Sequence, residues 1–97
     1  MAAYWIGAHE IVDPIVFQDY LRQAVPLIER FGGRYLTNTG TMKILEKPAW
    51  RPDRMVIVEF PDRASLDTWY HSAEYQPLLA LRQQSCRDLL VVLESVA

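Results

Sequence analysis

From Ala3 to Val12 the chain alternates, with Tyr4, Ile6 and Ala8 on one side and Trp5, Gly7, His9 and Ile11 on the other. That period of two is the mark of a β-strand. The period then changes. Asp13-Pro14 reads as a helix start, with Asp13 as N-cap and Pro14 in the first helical position. Phe17, Tyr20, Leu21, Ala24, Leu27, Ile28 and Phe31 recur at helical spacing and make one apolar stripe. Pro26 lies inside that stripe and removes a backbone bond to the Arg22 carbonyl, so a kink is expected there. Gly32-Gly33 closes the helix, supplying the left-handed residue that a C-cap uses.

Arg34 to Asn38 reads as a short strand, Asn38-Thr39-Gly40 as a turn or bulge, and Thr41 to Glu46 as extended chain. These pieces fit either one long bent strand or two paired strands. The two prolines between Lys47 and Asp53 make that stretch a loop carrying Trp50, as a lid or a dimer contact. Arg54 to Phe60 is a strand. Pro61-Asp62 opens a second helix, Arg63 to about His71, with Leu66, Trp69, Tyr70 and Ala73 inward. Ser72 is placed to cap a third helix from Ala73 to about Gln84, and Asp88 to Ser95 is the last strand. The order is that of an α+β fold of ferredoxin-like βαββαβ type: an antiparallel sheet with helices on one face. A chain of 97 residues suits a single domain, residues 1–97.

Two strands break the alternation. Met55-Val56-Ile57-Val58 and Leu89-Leu90-Val91-Val92-Leu93 are apolar on both faces. The helices cover one face, and the chain holds nothing more to cover the other. The expected cover is the sheet of an identical subunit, giving a homodimer through the sheet face. The composition, 51% hydrophobic and 11% aromatic, points the same way for so small a chain. A net charge of -2 with no basic stripe argues against nucleic acid. No apolar run is long enough to span a bilayer, and the first residues lack the pattern of a secretory signal. One cysteine, Cys86, precludes an internal disulfide, so a cytoplasmic setting is expected.

The chemistry is sparse. His9 near the end of the first strand and His71 after Trp69-Tyr70 are candidate bases. Each also suits a plain structural role, as a hydrogen-bonded sheet-end histidine and a helix C-terminal one. Arg34 and Glu59 interrupt apolar stretches of the sheet; they suit a pair that orients a polar substrate or an ion pair that fixes the dimer. Tyr20, Tyr70, Ser72, Tyr75 and Arg82 are candidates for the edge of a ligand pocket. Tyr75 and Arg82, seven apart, share a helix face. No spacing of His, Cys or carboxylates makes a metal motif, and no Ser-His-Asp set or phosphate loop occurs.

Tyr4-Trp5, Asp13-Pro14, Gly32-Gly33-Arg34, Val58-Glu59-Phe60-Pro61 and above all Trp69-Tyr70-His71-Ser72-Ala73-Glu74-Tyr75 resemble the domain-of-unknown-function 1330 family along nearly the whole chain. That resemblance implies a small bacterial protein with the dimeric α+β barrel fold, and it implies no reaction. The wider superfamily includes cofactor-free monooxygenases, haem-degrading enzymes and lactone isomerases. Its haem-degrading branch carries an Asn on the first strand, where this chain has none. The expected function is therefore to bind or transform a small organic molecule, without a cofactor, in a pocket between sheet and helices. In that reading His9 or His71 takes a proton while Arg34 holds the anion. The alternative is a non-catalytic ligand-binding or protein-interaction module whose polar residues serve fold and dimer.

Overall fold

The computed structural model describes residues 1–37, 39–46 and 49–97. The elements are β1 (Ala3–Ile11), α1 (Pro14–Arg30), β2 (Arg34–Tyr35), a 3-10 turn (Thr39–Thr41), β3 (Arg54–Phe60), α2 (Arg63–Tyr70), α3 (Gln76–Ser85) and β4 (Cys86–Glu94). All strand pairs are antiparallel, in the order β2-β3-β1-β4, so this is a ferredoxin-like α+β fold.

The helix starts follow local chemistry. The Asp13 side chain accepts from Val16 N at 3.1 Å, and that of Asp62 accepts from Ser65 N at 2.7 Å. The α1 helix runs through Pro26 to Arg30 and ends at Gly32, whose φ of 93° only glycine takes without strain. Gly33 is needed for a different reason. A Cβ there would lie 2.6 Å from Ile28 Cγ2 and 2.7 Å from Phe60 Cζ, so the chain turns from helix to sheet directly against the core.

The helix-side face of the sheet carries Ala3 and Trp5 from β1 and Val56, Val58 and Phe60 from β3. Phe17, Tyr20, Ala24, Leu27, Ile28, Leu66, Trp69 and Leu78 close over it. Trp69 is the centre of an aromatic stack: Phe60 lies 5.4 Å away, Trp5 5.3 Å and Tyr75 4.4 Å. Among the described residues no helix or second sheet covers the opposite face. Its cross-strand rows read Met55–Ala8–Leu89, Ile57–Ile6–Val91 and Glu59–Tyr4–Leu93. Leu89 and Leu93 are each 57% exposed.

The region after α1 departs from expectation. Strand structure stops at Tyr35, and neither one bent strand nor two paired strands forms among the described residues of 34–46. Leu36 N still bonds the Ile57 carbonyl, but the Thr37 hydroxyl then takes the Ile57 amide that a longer β2 would have used. A 3-10 turn over Thr39–Thr41 follows, and Thr37, Thr41 and Met42 come to rest beside Ile6, Met55 and Ile57. Asn38, Lys47 and Pro48, on which the turn and loop readings partly rested, lie outside the described residues. Two smaller shifts are that α3 begins at Gln76 rather than Ala73, and β4 at Cys86 rather than Asp88. Trp50 is neither loose nor free: its Nε1 donates to Glu10 Oε1 at 3.2 Å.

Gly33→Ala should lower unfolding free energy by about 1–3 kcal/mol, the usual cost of overfilling a packed core. Urea denaturation at neutral pH measures this, and an unchanged midpoint would mean that Gly33 does not approach Ile28 and Phe60 as described.

Candidate functional site

Five side chains form one largely buried polar chain that links α1, α3 and the sheet. Tyr20 on α1 and Tyr75 at the entry to α3 share a hydrogen bond between their hydroxyls at 2.8 Å. Arg82 Nε donates to the Tyr75 hydroxyl at 3.3 Å. Arg82 Nη1 donates to Asp88 Oδ2 at 2.5 Å, and His9 Nδ1 meets Asp88 Oδ1 at 2.7 Å. Sequence places these groups up to 79 residues apart, and the antiparallel register of β1 with β4 sets His9 directly opposite Asp88. His9 is 1% exposed and Arg82 2%, so the cluster sits in a medium where charge–charge contacts are strong and loose ends are costly.

The charges settle accordingly. Burial works against ionisation of Asp88, but hydrogen bonds from His9 and Arg82 outweigh it and hold the carboxyl below its ordinary range. Burial also disfavours the Arg82 charge, yet the tyrosine oxygens and Asp88 more than compensate and keep the guanidinium protonated. Burial and the neighbouring Tyr75 raise Tyr20 well above the usual phenol value. Burial raises Tyr75 too, against the pull of Arg82. Both tyrosines are therefore neutral hydrogen-bonding hydroxyls at physiological pH.

Among the described residues, two atoms in the cluster have no hydrogen-bond partner: His9 Nε2 and Arg82 Nη2. Trp69 Nε1, in the core, is also unpaired. A buried donor or acceptor left unpaired costs about 1–3 kcal/mol, so such atoms call for an explanation. The floor beside His9 is Gly7. A Cβ on Gly7 would lie 3.0 Å from both His9 Nε2 and Leu90 Cδ2, so the absent side chain leaves room for both groups. Leu90 borders two adjacent depressions, and Tyr70 also lines both. One, of about 280 Å³, is lined by Arg82, Asp88, Cys86 and Gln83. The other, of about 240 Å³, is walled by Trp5, Leu66 and Val92, with Arg63, Asp67 and His71 at its polar side.

The candidates named from sequence divide between the faces of the sheet. His9, Tyr20, Tyr75 and Arg82 are brought together. Arg34 and Glu59 do pair, at 2.9 Å, but on the open face with Arg34 73% exposed. Neighbouring residues of a strand point to opposite sides, and Val58 and Phe60 already face the helices. Arg34 therefore stands across the sheet from His9 and is not placed to hold an anion formed there. Arg82 is. His71 is exposed at the end of α2 against the Tyr70 ring, 5.5 Å away, and is not part of the cluster. Ser72 is spent on the turn, donating to the Trp69 carbonyl and accepting from Tyr75 N. Asp88 and Cys86 were not among the candidates. A charged residue heading an apolar strand was the available signal for Asp88.

His9, Cys86 and Asp88 each bring a ligand atom within 4.8 Å of the others, a juxtaposition that sequence spacing hides. Asp88 is already shared by His9 and Arg82, and the fixed guanidinium charge repels a second cation so close. Burial also pushes the Cys86 thiol up to about 11, away from the thiolate form that binds metals. The donor set favours a hydrogen-bonded cluster over a cation site.

Arg82→Met should cost about 3–5 kcal/mol at pH 7, because it strands a buried carboxylate. Arg82→Met/Asp88→Leu should recover part of that loss. The folded Asp88 carboxyl is depressed, so its stabilisation is complete above the ordinary carboxylate value of 3.8 and is lost as pH falls through the lower folded value. The stability advantage of the wild type over Asp88→Asn should therefore close in acid. Urea titrations of both proteins across that range measure it, and a gap independent of pH would contradict the pairing.

No curated protein matches the chain at a significant level. Among solved structures, a protein of unknown function from Rhodopseudomonas palustris superposes with a TM-score of 0.84 at 18% identity, covering 99% of this chain and 83% of its own. A dimeric ferredoxin-like protein of unknown function from Jannaschia sp. CCS1 gives 0.68 at 19% identity, covering 98% and 100%. The cofactor-independent oxygenase SnoaB from Streptomyces nogalater gives 0.69 at 9% identity, covering 99% and 94%. At these identities the likeness is one of fold. The family described as domain of unknown function (DUF1330) matches residues 2–96, and the chain belongs to it.

Proposed function

We propose that the protein is a homodimer joined through the open sheet faces, and that each subunit binds and transforms a small organic molecule in the cleft between α2, α3 and β4. The observation that carries the site is the pair of unpartnered atoms, His9 Nε2 and Arg82 Nη2, in an otherwise satisfied and buried cluster. In this reading Nδ1–H of His9 donates to Asp88, which leaves the Nε2 lone pair as a base. The base takes a proton from the ligand, and the electron pair of the broken bond stays on the ligand as an anion beside Arg82 Nη2. Arg82 thus has the role that sequence alone assigned to Arg34.

The dimer rests on the apolar rows Met55–Ala8–Leu89 and Ile57–Ile6–Val91 with Leu93 beside them, a surface larger than a lone leucine or two would need to explain. The dimeric neighbour from Jannaschia lends the same fold a precedent. SnoaB, and a neighbour described as an antibiotic biosynthesis monooxygenase, lend a fold-level precedent for small-molecule chemistry. A cytoplasmic setting fits a single buried thiol. No helix among the described residues is long and apolar enough to cross a membrane.

The second reading, a non-catalytic ligand-binding or protein-interaction module, is favoured by one observation: His9 Nε2 is buried and His9 lines neither depression, so the base meets a ligand only if neighbouring side chains move.

Sedimentation at micromolar concentration should give twice the 11.3 kDa monomer mass, and Leu89→Asp/Leu93→Asp should reduce it to one. A wild-type monomer would end the dimer proposal. For the site, a thermal-shift screen of small metabolites should yield a stabilising ligand, since binding to the folded state raises stability by mass action. Turnover of that ligand should vanish in His9→Ala and persist in His71→Ala and Arg34→Ala. Full turnover in His9→Ala would overturn the assigned base.

A further inference from the structure

The two depressions along β4 differ in chemistry and touch at Tyr70 and Leu90. One is a slot with a buried apolar wall, Trp5 and Leu66 with Val92 beside them, and a polar mouth of Arg63, Asp67 and His71. The other ends on Arg82 and Asp88. Neither reaches the roughly 300 Å³ at which pockets for small molecules begin, but the two together do. A ligand that fills both must be apolar at one end and polar at the other.

The polar end can be specified further. Arg82 offers a buried donor, Nη2, with no partner. An oxygen acceptor is therefore required. Its charge follows from Asp88, which lines the same depression and already lies 2.5 Å from Arg82 Nη1. The pair is electrically balanced before any ligand arrives. A carboxylate would add a second negative charge beside Asp88 in a poorly solvated place, whereas a carbonyl oxygen would take the free N–H at no such cost. Continuing from the cleft assigned above, we infer that the ligand is a neutral carbonyl compound with a flat apolar body. The body lies in the slot against Trp5, and the carbonyl oxygen accepts from Arg82 Nη2. This inference rests on the proposed cleft and adds the class of molecule that enters it.

Acetophenone, benzoate and ethylbenzene share a flat body and differ only in the polar end. They are titrated separately into the intact ¹⁵N-labelled protein and followed by NMR. Acetophenone should shift the amides of Tyr70, Leu90 and Val92 together with the Arg82 guanidinium resonance. It should bind about 10-fold tighter than ethylbenzene, which is what one net hydrogen bond contributes. It should also bind tighter than benzoate. Val92→Phe fills the slot without touching the polar cluster and should abolish these shifts while Arg82 keeps its unliganded resonance. Benzoate binding in the cleft as tightly as acetophenone would overturn the neutral-carbonyl inference and leave the cleft itself standing. Equal affinity of acetophenone and ethylbenzene would remove the role of Arg82 Nη2. Shifts confined to the open face, or none with any of the three, would overturn both the inference and the cleft.

Discussion

The structure turns on one buried carboxylate. Asp88 accepts from His9 on β1 and from Arg82 on α3, so an edge strand, a central strand and a helix meet at one residue. Among the described residues neither side chain has another acidic partner there, and removing the carboxylate would leave the Arg82 charge stranded in the interior. The constraint spreads outward. Arg82 must remain at the depth where its Nε reaches Tyr75, and Tyr75 must reach Tyr20 on α1. Packing alone would tolerate small slides of α3 over the sheet. A fully directional chain of hydrogen bonds tolerates far less.

That rigidity also sets the face on which chemistry is available. The helix face carries the polar cluster and the cleft, and the open face carries apolar rows with the Arg34–Glu59 pair at their margin. The proposed dimer and the proposed ligand site thus use opposite sides of the same strands. Leu90 faces the cleft while Leu89 and Val91 face away, so a continuous apolar run in β4 serves two purposes at once. Gly7 plays the matching part in β1: without a side chain it leaves room for the imidazole of His9 beside Leu90.

Much of this was legible in the sequence. Asp13-Pro14 and Asp62 announce their helices by capping chemistry, Gly32-Gly33 ends α1, and the doubly apolar strands reveal a sheet with an uncovered face. Residues 34–46 were misread because their strand-like composition does not reveal where a threonine hydroxyl takes over the ladder, as Thr37 does at Ile57. In the site, Tyr75 and Arg82 were recognisable by helical spacing. The pairing of Arg34 with Glu59 was visible too, but not its side of the sheet, which depends on register. Asp88 escaped notice because its partner His9 lies 79 residues away and only the β1–β4 pairing unites them. Likewise Cys86 reads as a lone thiol until the fold sets it beside both.

The central claim is that Asp88 fixes the His9 proton on Nδ1 and leaves Nε2 as a bare acceptor. The direct test is the ¹⁵N spectrum of the imidazole in the native protein at mildly alkaline pH, where an imidazole is ordinarily neutral. The account predicts a protonated Nδ1 and an unprotonated Nε2, with the tautomer lost as a single preferred form in Asp88→Asn. A neutral ring protonated at Nε2 in the wild type would contradict it.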